Sequence, residues 1–198
     1  LNFIFRIPFA GIESFQLWQP GELDRPHVRV VGLMELLIGK MLAMLERGIV
    51  QDVWDMANLA KQALDVLKEQ SFRARFIALS AILEHPLSTY HRERLESHID
   101  DYVIDEKLRP LIAGSPPLKA KELVHRAWAV VEPFLELAAH ENEYLQKIQE
   151  GVLQPEILFP DALEESAKFA VHPAIQWKVT NVRSYLKARK SREDKKKA

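Results

Sequence analysis

The chain has 198 residues, 47% hydrophobic and 28% charged, with a formal net charge of -1 at pH 7. That length gives one fair-sized domain or one and a half small ones. The apolar share can build a core, and the near-zero charge supplies no global field directed at nucleic acid or membrane. Cysteine is absent, which excludes a disulfide framework and a zinc–thiolate site and fits a reducing cytoplasm. No apolar run approaches the roughly 20 residues of a membrane helix.

The first segment, LNFIFRIP, alternates in side-chain character from Asn2 to Pro8 and predicts a strand. It is too short and too polar for a signal peptide. A strand with no evident partner at Leu1 reads as the start of a fragment. HVRVV, His27 to Val31, is the second strand candidate, and QPGELDRP between the two reads as a loop. After Gly32 the period becomes helical. Leu33 to Arg47 predicts a helix closed by Gly48, and Val50 or Gln51 to about Lys68 a second. Ser71 to Leu83 predicts a third, with Ser71 as N-cap and Pro86 as a stop. A short helix is expected over Tyr90 to His98, while Tyr102 to Ile104 fits either a brief strand or a helical turn. GSPP reads as a linker. Helices then follow over Leu118 to Val131 (broken near Pro133), over LAAHENEYLQKIQEG with Gly151 as its stop, and over Asp161 to Phe169. The last begins with Pro173 in its first turn and frays into the basic segment KARKSREDKKKA. The expected fold is mainly α: residues 1–68 form a lobe with a remnant of mixed β-sheet, 69–190 a helical C-terminal lobe, and 191–198 a disordered basic tail.

Within this pattern a few charges are out of place. On a helical wheel the first helix has a wide apolar arc, and Glu35, Gly39 and Glu46 mark its polar side. Lys40 falls between Leu36 and Met44, in line with Arg47. It reads either as a snorkelling lysine whose stem covers apolar surface or as a partly desolvated cation facing a cleft, where it would meet phosphate. On the second helix, with its buried face expected over Met56, Leu59, Ala60, Ala63, Leu64, Val66 and Leu67, Asp52 projects onto the apolar side. A carboxylate in a first turn complements the helix dipole, a contribution of roughly 0.5–2 kcal/mol. That accounts for Asp52 better than for Asp55. A tight turn at RGIVQ would fold the two helices into an antiparallel hairpin and bring Lys40 near the second. The histidines are scattered: HENEY is not the H-E-x-x-H zinc pattern, and His91 and His98 make a poor metal face. No G-x-G-x-x-G, P-loop or G-x-S-x-G occurs.

LMELLIGKMLAMLERGIVQDVWDMANLAKQ resembles the third and fourth motifs of the AbiEii-type nucleotidyltransferase toxins: a glutamate, a short apolar run, a lysine, an arginine and then R-D-x-x-D. PFLELAAHENEYLQKIQEGVLQPEILFPD and HPAIQWKVTNVRSYL look like that family's helical C-terminal region. The resemblance implies a polymerase-β-like nucleotidyltransferase lobe followed by a helical lobe. It implies transfer of a nucleotide from an NTP, with Mg²⁺, to tRNA acceptor ends, by a cytoplasmic toxin with a separately encoded antitoxin. By position, Lys40 would contact nucleotide phosphate, and Asp52 or Asp55 (Asp52 by preference) would support the catalytic centre. Arg47, Lys178 and Arg183 would bind substrate. Two departures matter. The usual arginine before the aspartate is Gln51 here, and the family's G-[ST]-x-x-L-x-[RK] and metal-binding D-x-D motifs do not occur in this chain. The chain is therefore expected to be inactive alone, with those motifs upstream or lost. Two other readings stand beside it: a non-catalytic tRNA- or antitoxin-binding helical module using Lys187, Arg189, Lys190, Arg192 and Lys195 to Lys197, and a structural helical domain with Lys40 and Asp52 as a buried ion pair.

Overall fold

The structure is a computed structural model that describes residues 8–112, 114 and 118–197. It is mainly helical, with one small sheet near the N-terminus. The predicted strand over Asn2 to Pro8 and the GSPP linker lie almost entirely outside the described residues. The sheet is an antiparallel pair of β1 (Ile12–Gln16) and β2 (His27–Val31), in the register Ile12↔Val31 to Gln16↔His27. The β2 strand follows the prediction. IESFQ was not expected as a strand, because every residue of β1 is exposed and it shows no buried face.

The helices are α1 (Leu33–Glu46), α2 (Val50–Gln62), α3 (Leu64–Leu67), α4 (Gln70–Ser80), α5 (Arg92–Glu96), α6 (Asp101–Val103), α7 (Ala120–Val131), α8 (Ala139–Gln149), α9 (Leu163–Ala170) and α10 (Pro173–Lys197). The chain reverses between α1 and α2 at Gly48, whose φ of 60° is the left-handed region that glycine enters without strain. The predicted second helix is two helices, parted at Ala63 (φ -127°, ψ 24°), and Leu64 is exposed rather than on the buried face. Ser71 is not an N-cap. It lies inside the first turn of α4 and donates its hydroxyl to Glu69 Oε2 at 3.2 Å. Tyr102 to Ile104 is helical, running from α6 into one π-helical stretch, Ile104–Leu108. Helix α10 continues through the basic segment to Lys197.

Packing forms a stack in which α1 sits at the centre. It lies against α2 on one side and α4 on the other; α7 packs on the far side of α2, α8 on α4, and α10 on α8. Leu37, Ile38, Met41 and Met44 on α1 are fully buried, as are Met56, Phe72, Phe76 and Ile77 around them. At about 1.5–3 kcal/mol for each large apolar side chain removed from water, these dominate the favourable side of folding. Aromatic rings close the layers, with Phe134 edge-on to both Phe72 and Phe76 at 5.4 Å.

One polar staple crosses this apolar stack. Arg73 on α4 donates from Nε to Glu141 Oε1 at 2.6 Å, and from Nη2 to Glu141 Oε2 at 2.7 Å and the Glu136 carbonyl at 2.6 Å. Its Nη1 donates to the Pro133 carbonyl at 2.8 Å. Glu141 in turn reaches back to the Ala138 N–H at 2.8 Å, satisfying one orphan donor at the start of α8. The staple thus satisfies the buried glutamate and the irregular backbone that joins α7 to α8.

Candidate functional site at the α1–α2 hairpin

The two helices bring four of the predicted residues together in pairs. Lys40 Nζ donates to Asp55 Oδ2 at 2.5 Å, and Arg47 Nη2 to Asp52 Oδ1 at 2.6 Å. The expected Lys40–Asp52 pair is therefore replaced by two others. The reason is hairpin geometry: the residue facing Lys40 lies about as far beyond Gly48 as Lys40 lies before it. The Lys40–Asp55 pair is a third exposed, so Lys40 carries its charge at the edge of the helix packing.

Asp52 has a different environment. It is 2% exposed, and its Oδ2 has no hydrogen-bond partner among the described residues. Burial pushes its carboxyl above the ordinary value, against the opposing pull of the Arg47 charge and hydrogen bond and the Lys40 charge; Asp55 adds a small push in the same direction as burial. Glu35, assigned to the polar side of α1 by the wheel, is a correction of the same kind. It is 5% exposed and accepts from the Phe9 and Ala10 N–H groups at 3.0 and 3.3 Å. Burial raises its carboxyl, and those two N–H groups oppose the rise. A wheel cannot show that the chain before β1 covers that side of the helix. Gln51 donates to the Lys107 carbonyl at 3.1 Å and ties the start of α2 to the π-helical stretch.

Lys178 and Arg183 lie on α10. Lys178 Nζ donates to the Leu83 carbonyl at 2.5 Å, and Arg183 Nε to the Gly151 carbonyl at 2.6 Å. Burial lowers Lys178 from the ordinary lysine value, opposed by the charges of Glu46 and Glu84. Arg183 closes the end of α8, where Gly151 has φ 75° and a Cβ would meet the Arg183 Cγ at 2.7 Å. These two cations thus serve backbone carbonyls rather than the hairpin carboxylates.

Among the described residues, no three His, Asp or Glu side chains come together in a way that could hold an ion. Asp52 and Asp55 each already hold a cationic side chain. The residues described do not fit a Mg²⁺ site. Among the same residues, no helix is long and apolar enough to cross a membrane.

Sequence reasoning passed over a cleft of about 370 Å³ where α8, α10 and the segment after α4 meet. Its walls include Leu83, Leu145, Val182 and Leu186, with Asn142, Gln146, Lys178 and Tyr185 as polar or aromatic groups. Nothing in the one-dimensional pattern of either helix signals it, because the space arises between them. Comparisons with protein-family models, with curated proteins and with solved structures each found no match to this chain.

Proposed function

We propose that the chain binds a nucleoside triphosphate at the α1–α2 hairpin, as the lysine-bearing part of an AbiEii-like nucleotidyltransferase toxin acting in the cytoplasm on tRNA acceptor ends, with a cognate antitoxin. The observation that supports this reading is the Lys40–Asp55 pair: a cation kept within an apolar helix and held by a carboxylate that remains a third exposed. An ion pair at that exposure contributes only about 0–1 kcal/mol. A phosphate carries more charge and more acceptor oxygens than Asp55 and can replace it on Lys40. In the transfer itself, an acceptor-end hydroxyl oxygen would attack the α-phosphorus and lose its proton to solvent, the bond to the α–β bridging oxygen would break, and pyrophosphate would leave. Lys40 would hold the phosphates in place. Buried Asp52, through Arg47, would fix the turn that carries Lys40 and Asp55. No step is assigned to a metal, which the described residues do not fit.

The test is calorimetric titration of the chain with ATP and GTP. Lys40→Ala should weaken binding by about tenfold or more, as expected for loss of a charge-assisted contact of at least ~1.4 kcal/mol. Asp55→Asn, which frees Lys40, should tighten it. Equal affinity in wild type and Lys40→Ala would remove the basis of the reading.

A further inference from the structure

Helix α10 presents a second surface, unrelated to Lys40. Beyond Leu186 the described side chains, through Asp194, are all exposed. They include Lys187, Arg189, Lys190 and Arg192, against Glu193 and Asp194. Two aromatic side chains stand in the open on the same helix, Trp177 at 62% and Tyr185 at 67% exposure. At 1.5 Å per residue they are about 12 Å apart along the axis. Tyr185, Arg189 and Arg192 follow at helical spacing on one stripe and line a shallow depression together. Tyr185 also lines the cleft between α8 and α10. The cleft and the basic stripe are therefore adjacent, with Tyr185 as their shared wall.

From this adjacency we infer that α10 and the cleft bind single-stranded nucleic acid, with a base in the cleft beside Tyr185 and the backbone along Arg189 and Arg192. The cleft, at about 370 Å³, falls in the size range of small-molecule sites and has apolar walls. The amides of Asn142 and Gln146 carry both donors and acceptors and can meet a base edge. Lys178 and Glu84 both line the cleft and offset one another's charge, so it favours an uncharged ring over a phosphate. The phosphates instead meet the arginines outside. Arg189 is engaged by Glu193 at 2.8 Å in an exposed i,i+4 pair, which a phosphate can displace.

Two other anionic partners fit less well. A membrane-surface helix needs an apolar face opposite its charges, and KARKSREDKKK has no large apolar residue. An acidic protein would use the cations but leave Trp177, Tyr185 and the cleft without a role. Aromatic faces beside a cationic track are what unpaired bases require. A duplex keeps its bases stacked and would be excluded from the cleft.

The test is fluorescence anisotropy with the full chain and labelled ten-nucleotide RNA and DNA single strands, the matching duplexes, and poly-glutamate, at several salt concentrations. Single strands should bind more tightly than duplex or poly-glutamate. If four phosphates are contacted, affinity should fall by about 50-fold between 50 and 200 mM salt, from a slope of about -0.7 per contact. Trp177→Ala and Tyr185→Ala should each weaken binding by about fivefold or more at an unchanged salt slope. Arg189→Ala/Arg192→Ala should flatten that slope. All four side chains are exposed, and unchanged circular dichroism verifies folding. Lys40→Ala should leave strand binding as it is, so failure at the hairpin and failure here are separable. Equal binding of duplex or poly-glutamate, or insensitivity to both aromatic substitutions, would overturn the inference. The RNA and DNA arms decide which sugar the surface takes.

Discussion

Replacing Arg73 by alanine removes the donors that satisfy Glu141 and two carbonyls between α7 and α8. Glu141 is 3% exposed, so the variant leaves a buried carboxylate with the Ala138 N–H as its remaining partner among the described residues. Breaking a buried pair from one side costs about 3–5 kcal/mol. The Arg73 side chain is 32% exposed, which places the expected loss near the lower end, about 3 kcal/mol. For a domain of this size that is a fall in Tm of about 6–12 °C.

The stability difference between the two proteins also depends on pH. Burial alone would raise the Glu141 carboxyl, but the Arg73 hydrogen bond and charge and the Ala138 N–H together hold it below its ordinary value of 4.5. In the wild type its contribution is present above that value and is lost as pH falls through the lower folded value. In Arg73→Ala, burial dominates and the carboxyl protonates in milder acid. The gap between the two proteins should therefore narrow as pH falls from 7 towards 4. Urea denaturation at a series of pH values reads both quantities. A loss below about 1 kcal/mol at pH 7, the size of a surface pair, would refute the reasoning. So would a gap that does not change with pH.

Gly48→Ala should cost about 1–2 kcal/mol, because φ is 60° and the added Cβ would meet Leu95 Cδ2 at 2.8 Å and His98 Nε2 at 3.3 Å; a shift in urea midpoint at constant slope checks it. Asp52 titrates in the opposite sense to Glu141. Its folded value is raised above 3.8, so its contribution is present below that and is lost as pH rises through the raised value. Asp52→Asn should accordingly flatten the stability profile above pH 4 and leave the protein at least as stable at pH 7, since the released Arg47 side chain is 59% exposed; a clearly less stable variant at pH 7 contradicts the account.

Local signals carried most of the helical architecture. Gly32 ahead of Leu33, Gly48 and Gly151 at their turns, and Pro173 at the head of the last helix mark boundaries the structure places within a residue or two. These are backbone preferences, written at the position where they act. The misreadings share a different cause. Glu35 is met by residues 25 and 26 positions away in sequence, and β1 is held by register with β2 rather than by a buried face. The Lys40–Asp55 pairing depends on where the hairpin turns, and the cleft beside Tyr185 on where two helices meet. The π-helical stretch and the break at Ala63 carry no residue that announces them.

The end of α1 has a consequence for how the protein assembles. Its last carbonyls, on Leu45 and Glu46, accept from Arg94 at 2.7 and 2.8 Å, and the Gly48 carbonyl is met by His98 at 3.2 Å. These partners come from the region of α5, 48 to 50 residues further along the chain. A helix terminus is ordinarily finished by its immediate neighbours. Here the Arg47 and Gly48 N–H groups close on the Ala43 carbonyl, while the later carbonyls are met by the distant segment, which ties the end of α1 to the region of α5. The hairpin that carries Lys40 and Asp55 and the segment around α5 therefore belong to one cooperative unit, and loosening either exposes both.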